Sequence, residues 1–191
     1  MRVYIIRHGQ SAANVTGARN GQGDVPLTQR GKEEALGLRP KLSGISFDRI
    51  YSSDLIRAID TCKTAIPESD PIRIKDLREI DVGGLAGKTN EECLKLFGPE
   101  YSLNLADFNF APYGGENLEK VFERVARFMH LLESLPEDFT IAVFAHYGSI
   151  VSILRYVLGS MIDRKRFSIG NCSIIEAEFR NGFWKLIRMG V

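Results

Sequence analysis

Val3-Tyr4-Ile5-Ile6 running straight into Arg7-His8-Gly9 is the stretch on which the reading of this chain turns. Four apolar, β-prone residues bounded by polar ones predict a short buried strand. The same arrangement returns at Ile141–Ala145, a wholly apolar run that ends on His146. Between and around these two runs, strand signals alternate with helix signals. Phe47–Tyr51 and Ile72–Ile74 read as further strands. Thr28 would cap a helix carrying Gly31, Ala35, Leu38 and Leu42 on one face, and Asp54 would cap a second carrying Leu55, Ala58, Cys62 and Ala65. Thr89 and Glu92 form a capping box for a short helix ending near Gly98. Leu118, Val121, Val125, Phe128, Leu132 and Leu135 give the clearest helix, and an apolar helix follows from about Gly148 to Leu158. Asn181-Gly182 between Ser173–Phe179 and Phe183–Met189 is a strong hairpin signal. Residues 9–26, 79–88 and 98–116 read as loops.

This alternation predicts an α/β fold: a single-domain three-layer α/β/α sandwich over residues 1–191, with a mostly parallel central sheet and a C-terminal β-hairpin. The length of 191 residues fits one domain, and 44% hydrophobic with 26% charged residues is ordinary globular composition. With 25 basic and 24 acidic residues the net charge is +1, which argues against non-specific nucleic-acid binding. Cys62, Cys93 and Cys172 are odd in number and widely spaced, so neither a disulfide framework nor a thiolate zinc site is expected. No apolar run matches a signal peptide or a membrane span, and the expected setting is cytoplasmic.

In open parallel sheets ligands bind beyond the carboxyl ends of the strands, where His8 and His146 fall. A neutral imidazole is nucleophilic toward phosphorus, and its ordinary pKa near 6.5 makes that form common at neutral pH. The neighbouring Arg7 offers a fork suited to phosphate oxygens. Gly9 would let the backbone approach a ligand. Arg57, in the first turn of its helix, would aim at the same rim. Glu79, in an apolar and glycine-rich neighbourhood, is the candidate proton donor. His130 lies off the core face of its helix and reads as a solvated surface residue.

Six blocks then line up in order with a known family. Arg7-His8-Gly9-Gln10-Ser11-Ala12-Ala13-Asn14, Pro26-Leu27-Thr28 with Gly31 and Ala35, Ser52-Ser53-Asp54-Leu55-Ile56-Arg57-Ala58 with Thr61, Leu77-Arg78-Glu79-Ile80, Gly115-Glu116-Asn117 and Ala145-His146 together resemble the histidine phosphatase superfamily, the phosphoglycerate mutase-like family. The resemblance implies catalytic roles for His8, Glu79, His146, Arg7 and Arg57, with His8 forming a phosphohistidine and Glu79 acting as acid and base. It implies that Arg7, Arg57, His146, Asn14 and Gln22 hold the phosphate. It implies no cofactor and no metal, a small phosphorylated metabolite as substrate, and at most a second copy of the chain as partner, with neither nucleic acid nor membrane. Two departures concern substrate preference: Leu85-Ala86-Gly87 stands where Trp-Glu-Gly is frequent, and Tyr147 follows His146 where Gly is frequent.

A metal-independent phosphomonoesterase is the favoured expectation. The alternatives are a cofactor-dependent phosphoglycerate mutase, an α-ribazole-5'-phosphate phosphatase, a sugar bisphosphatase and a non-catalytic phospholigand-binding scaffold. Mutases of the family usually carry an Arg-rich insertion after the catalytic glutamate, whereas no arginine lies between Arg78 and Arg124 here. A scaffold would have no need of His8 or Glu79. Tyr101, Phe108, Phe110 and Tyr113 have two readings: a lid over a bulky apolar leaving group, or residues that only pack their own loop.

Overall fold

The computed structural model describes residues 1–160 and 168–190. Strands β1 (Arg2–Arg7), β2 (Arg49–Ser52), β3 (Ile72–Arg73), β4 (Thr140–Ala145), β5 (Ile174–Arg180) and β6 (Phe183–Met189) form one sheet in the order β3-β2-β4-β1-β5-β6. The first four are mutually parallel, and β5 and β6 add an antiparallel edge. The helices are α1 (Ala12–Thr16), α2 (Gln29–Leu36), α3 (Arg39–Leu42), α4 (Ile56–Ala65), α5 (Asn90–Ala106), α6 (Leu118–Glu133) and α7 (Tyr147–Leu158).

The period of two along β1 creates the layers. Val3 and Ile5 pack into the larger core with Val125, Phe128 and Leu132 of α6 and Ile150 and Leu154 of α7. Tyr4 and Ile6 face the opposite core with Ala35 of α2 and Cys62 and Ala65 of α4. Each fully buried Ile or Leu contributes about 1.5–3 kcal/mol, so β1 is clamped from both faces. The sandwich is thus the one the sequence predicts. The hairpin turn is also as expected: Asn181 and Gly182 have φ of 53° and 78°, the left-handed pair of a type I′ turn.

Four local expectations need correction. The helix begun at Thr28 does not run on to Leu42: α2 stops at Leu36, and α3 restarts with Pro40 in its first turn, although Leu38 and Leu42 remain buried. Asp54 does not cap α4. Leu55 holds that position, and the Asp54 carboxylate instead takes a bidentate pair from Arg78, at 2.7 and 2.6 Å, which holds its pKa below the usual carboxylate range. The 9–26 loop contains α1, started by Ser11 and Asn14 and closed by the left-handed Gly17. Finally, the first part of the 98–116 stretch is helical, while most of 107–116 is irregular as expected. Gly98 (φ 64°, ψ −159°) kinks α5, and Pro99, with its preset φ and no N–H to lose, begins a second stretch that reaches Ala106.

Candidate active site

Because β1, β4 and β2 are adjacent and parallel, their carboxyl ends deliver three segments to one rim. Arg7 pairs in register with Ala145, so His8 and His146 leave the sheet side by side, and the His8 amide donates to the Ala145 carbonyl at 3.1 Å. Their ring centroids are 5.0 Å apart. From β2, the Ser53 amide donates to Phe144 and the chain turns into α4, which supplies Arg57. Thr61, one turn further on, ties this helix to the β1 loop: its hydroxyl donates to the Arg57 carbonyl and accepts from the Gly9 amide.

His8 is 3% exposed and His146 fully buried. A carbonyl can only accept, so the 2.7 Å contact between His8 Nδ1 and the Gly9 oxygen puts the His8 proton on Nδ1 and its lone pair on Nε2. His146 has the opposite arrangement. Arg57 Nε donates to its Nδ1 at 3.2 Å, which leaves the His146 proton on Nε2. Arg57 spends its other nitrogens on the carbonyls of Gly23 and Gly21, and Arg7 donates to Ile169. His146 Nε2 and Arg7 Nε are buried with no hydrogen-bond partner among the described residues. Unpaired buried donors cost about 1–3 kcal/mol each, and an anion is the ligand that would satisfy them.

Burial, then the nearby Arg57, pushes the His8 pKa down to about 3, and the same causes push His146 well below 6.5. Both rings are therefore neutral at physiological pH. The sign of the linkage follows. Between about pH 3 and 6.5 the unfolded chain binds protons at these rings that the folded chain refuses, so folding stability rises with pH across that window and is lost as pH falls through it. Each histidine contributes up to about 1.4 kcal/mol per pH unit there. Denaturant unfolding at pH 7.5 and 5.0 should show a marked loss of stability at the lower pH, and a flat profile would contradict the buried neutral rings.

Glu79 sits after β3 on a segment held from behind. Arg124, on the core face of α6, makes five hydrogen bonds: two to the Glu116 carboxylate and one each to the carbonyls of Asp76, Arg78 and Glu79. Glu116 in turn accepts from the Asp81 amide. Glu79 Oε1 accepts from the amides of Ile80 and Gly148, at 2.9 and 2.8 Å. A Cβ at residue 148 would stand 2.4 Å from that oxygen, so the glycine at the start of α7 is what allows the carboxylate to approach.

These parts border a cavity of about 340 Å³, whose lining includes Arg7, His8, Arg57 and Glu79. Asn14 also borders it. Ser11 engages the Asn14 side-chain oxygen from its amide and hydroxyl, so Asn14 offers its Nδ2 donor. Gln22 is not on the wall: its amide oxygen accepts from Arg78 at 3.3 Å. His146 is buried against His8 and Arg57, with its Nε2 unpaired among the described residues. Gly9 also has a packing role. Its missing Cβ would meet the Gly31 carbonyl at 2.4 Å, so Gly9 admits α2 against the β1 loop. His130 is exposed, as expected.

The aromatic segment divides between its two readings. Tyr101 is buried, and Tyr113 meets it edge-on and Phe97 at a tilt, packing the segment down. Phe108, Phe110 and Tyr147 border the cavity, and Phe108 is held at a left-handed φ of 52°. Sequence reasoning missed Arg124 and Arg19, the latter on the cavity wall. For Arg124 a signal existed: it falls three residues after Val121 and just before Val125, inside an otherwise apolar stripe. Among the described residues no cluster of three or more His, Cys, Asp or Glu is placed to hold a metal, and no helix is long and apolar enough to cross a membrane.

With this geometry in view, the chain belongs to the histidine phosphatase superfamily (branch 1), whose family model matches residues 3–191. It is 31% identical over 162 residues to an adenosylcobalamin/alpha-ribazole phosphatase of Escherichia coli, covering 83% of this chain and 80% of that one. It is 34% identical over 161 residues to a 2,3-bisphosphoglycerate-dependent phosphoglycerate mutase of Rhizobium etli, covering 79% and 77%. A solved structure of a putative alpha-ribazole-5'-P phosphatase from Escherichia coli superposes with a TM-score of 0.91 at 27% identity, covering 100% of this chain and 97% of that one. The class these findings support is a phosphoric monoester hydrolase.

Proposed function

We propose that the chain hydrolyses small phosphorylated metabolites in two half-reactions through a phosphohistidine on His8. The observation that carries this reading is the opposed pair of tautomers: the His8 lone pair on Nε2, and beside it a His146 proton on Nε2. In the first half-reaction His8 Nε2 attacks phosphorus, the phosphorus–oxygen bond to the alcohol breaks, and Glu79 gives its proton to the departing oxygen. In the second, water attacks the phosphorus, Glu79 takes the water proton, and the nitrogen–phosphorus bond breaks to return the lone pair to His8. Splitting the reaction in this way replaces one difficult step by two easier ones. Arg7, Arg57, His146 and Asn14 hold the phosphoryl oxygens with donors already fixed in place, which is where most of the rate enhancement would come from.

Hydrolysis rather than mutase transfer is supported by the absence of arginine between Arg78 and Arg124. A cytoplasmic setting is the matching proposal, since the expected substrates are intracellular metabolites. The test is turnover of p-nitrophenyl phosphate by the purified chain in excess EDTA, with 3-phosphoglycerate interconversion assayed in parallel. Activity should survive chelation, because Arg7, Arg57 and His146 supply the charge stabilisation. Loss on chelation with rescue by one divalent ion, or mutase activity exceeding hydrolysis, would overturn the proposal.

A further inference from the structure

Arg19 is a cation at the cavity for which the proposed chemistry has no use. It borders the same cavity as His8 and Glu79. Its main chain is pinned on both sides, the Arg19 amide donating to Lys88 and the Gly87 amide to Arg19, each at 2.7 Å. Its side chain is fixed by neutral partners. Nε and Nη2 donate to Asn90 Oδ1 at 3.1 and 2.6 Å, and Nε also meets the hydroxyl of the buried Tyr101 at 3.2 Å. No carboxylate pairs with it among the described residues. A guanidinium has five N–H donors, so Nη1 and part of Nη2 remain to be used.

Charge accounting gives this cation a purpose. The charged residues lining the cavity are Arg7, Arg19, Arg57 and Glu79. The wall thus carries three guanidinium groups against one carboxylate. A phosphomonoester dianion pairs with Arg7 and Arg57, and the Arg19 guanidinium is left over. A guanidinium held rigidly by neutral groups is well suited to binding a carboxylate or phosphate in a fork. We infer that Arg19 is a specificity-determining residue that selects phosphomonoesters carrying a second anionic group on the alcohol portion. The inference rests on the phosphatase reading, and it narrows the substrate class to compounds with two anionic ends.

The probes are two three-carbon phosphomonoesters, 3-phosphonooxypropanoate with its terminal carboxylate and n-propyl phosphate without it. Their affinities are measured by calorimetry on His8→Ala, which turns neither over, and on the doubles with Arg19→Gln and Arg19→Lys. The carboxylated probe should bind on the order of tenfold or more tightly, as one charge-assisted pair would give. Arg19→Gln should remove the preference, and Arg19→Lys should keep part of it. In wild type the preference should appear in KM more than in kcat. Equal affinity for the two probes, or an equal loss for both in Arg19→Gln, would overturn the inference and leave Arg19 as a brace for α5. A retained binding preference with no turnover by wild type would instead contradict the phosphatase reading alone.

Discussion

His8→Ala is expected to abolish turnover of every phosphomonoester, by on the order of a millionfold, the scale seen when a covalent nucleophile is removed. No neighbour can take over. His146 lies against His8, but its Nδ1 is committed to Arg57 and its Nε2 carries the proton, so it has no lone pair to offer. The substitution empties a buried position, and a misfolded product has to be set apart from an inactive one. His8 and His146 together make the site acid-sensitive, so a folded His8→Ala should unfold with a weaker dependence on pH below 6.5 than wild type. Cooperative unfolding with that altered slope, and no activity, is the expected pair of results. Residual turnover above about a hundredth of wild type would point to another nucleophile.

Glu79→Gln should produce a defect that depends on the leaving group. An alkoxide is a poor leaving group, and general acid help is worth about 10² to 10⁴ in rate. p-Nitrophenolate leaves as a stable anion and needs little help. Glutamine keeps an oxygen where Ile80 and Gly148 donate, so the segment held by Arg124 should stay in place. Phosphorylation of His8 by an alkyl phosphate should therefore slow far more than phosphorylation by p-nitrophenyl phosphate. The second half-reaction also loses its base, so the activated substrate should give a burst of p-nitrophenol followed by slow turnover. Equal slowing on both substrates without a burst would make Glu79 a structural residue and shift the acid role to a neighbour such as Asp81.

The parts of this site that were legible in the sequence are those fixed by strand ends. Val3–Ile6 and Ile141–Ala145 are apolar runs with sharp polar borders, which put His8 and His146 at strand ends; that the two strands are in-register neighbours is what the fold adds. Arg57 followed from helix geometry, even though the cap proposed for that helix was wrong. Asp54 was free to abandon the cap because Arg78, distant in sequence, offered it a bidentate partner. Gln22 lies in a stretch without periodicity, so only its neighbours in space decide where its side chain goes, and its amide oxygen accepts from Arg78. The break at Gly98 was legible, but the chain beyond it reads as loop although Pro99 begins a new helical stretch. Arg19 was illegible for the same reason as Gln22: its partners Asn90 and Tyr101 are brought to it only by the packing of α5.

Rapid mixing of wild-type protein with a ³²P-labelled phosphomonoester, quenched in base and digested with trypsin, locates the phosphorylated residue. Cleavage after Arg7 and Arg19 releases residues 8–19, in which His8 is the one histidine, whereas His130 and His146 fall together in residues 128–155. Base-stable, acid-labile label is expected on the 8–19 peptide, and none when His8 is replaced by alanine. Label on the 128–155 peptide, or label that survives acid, would contradict a phosphohistidine on His8.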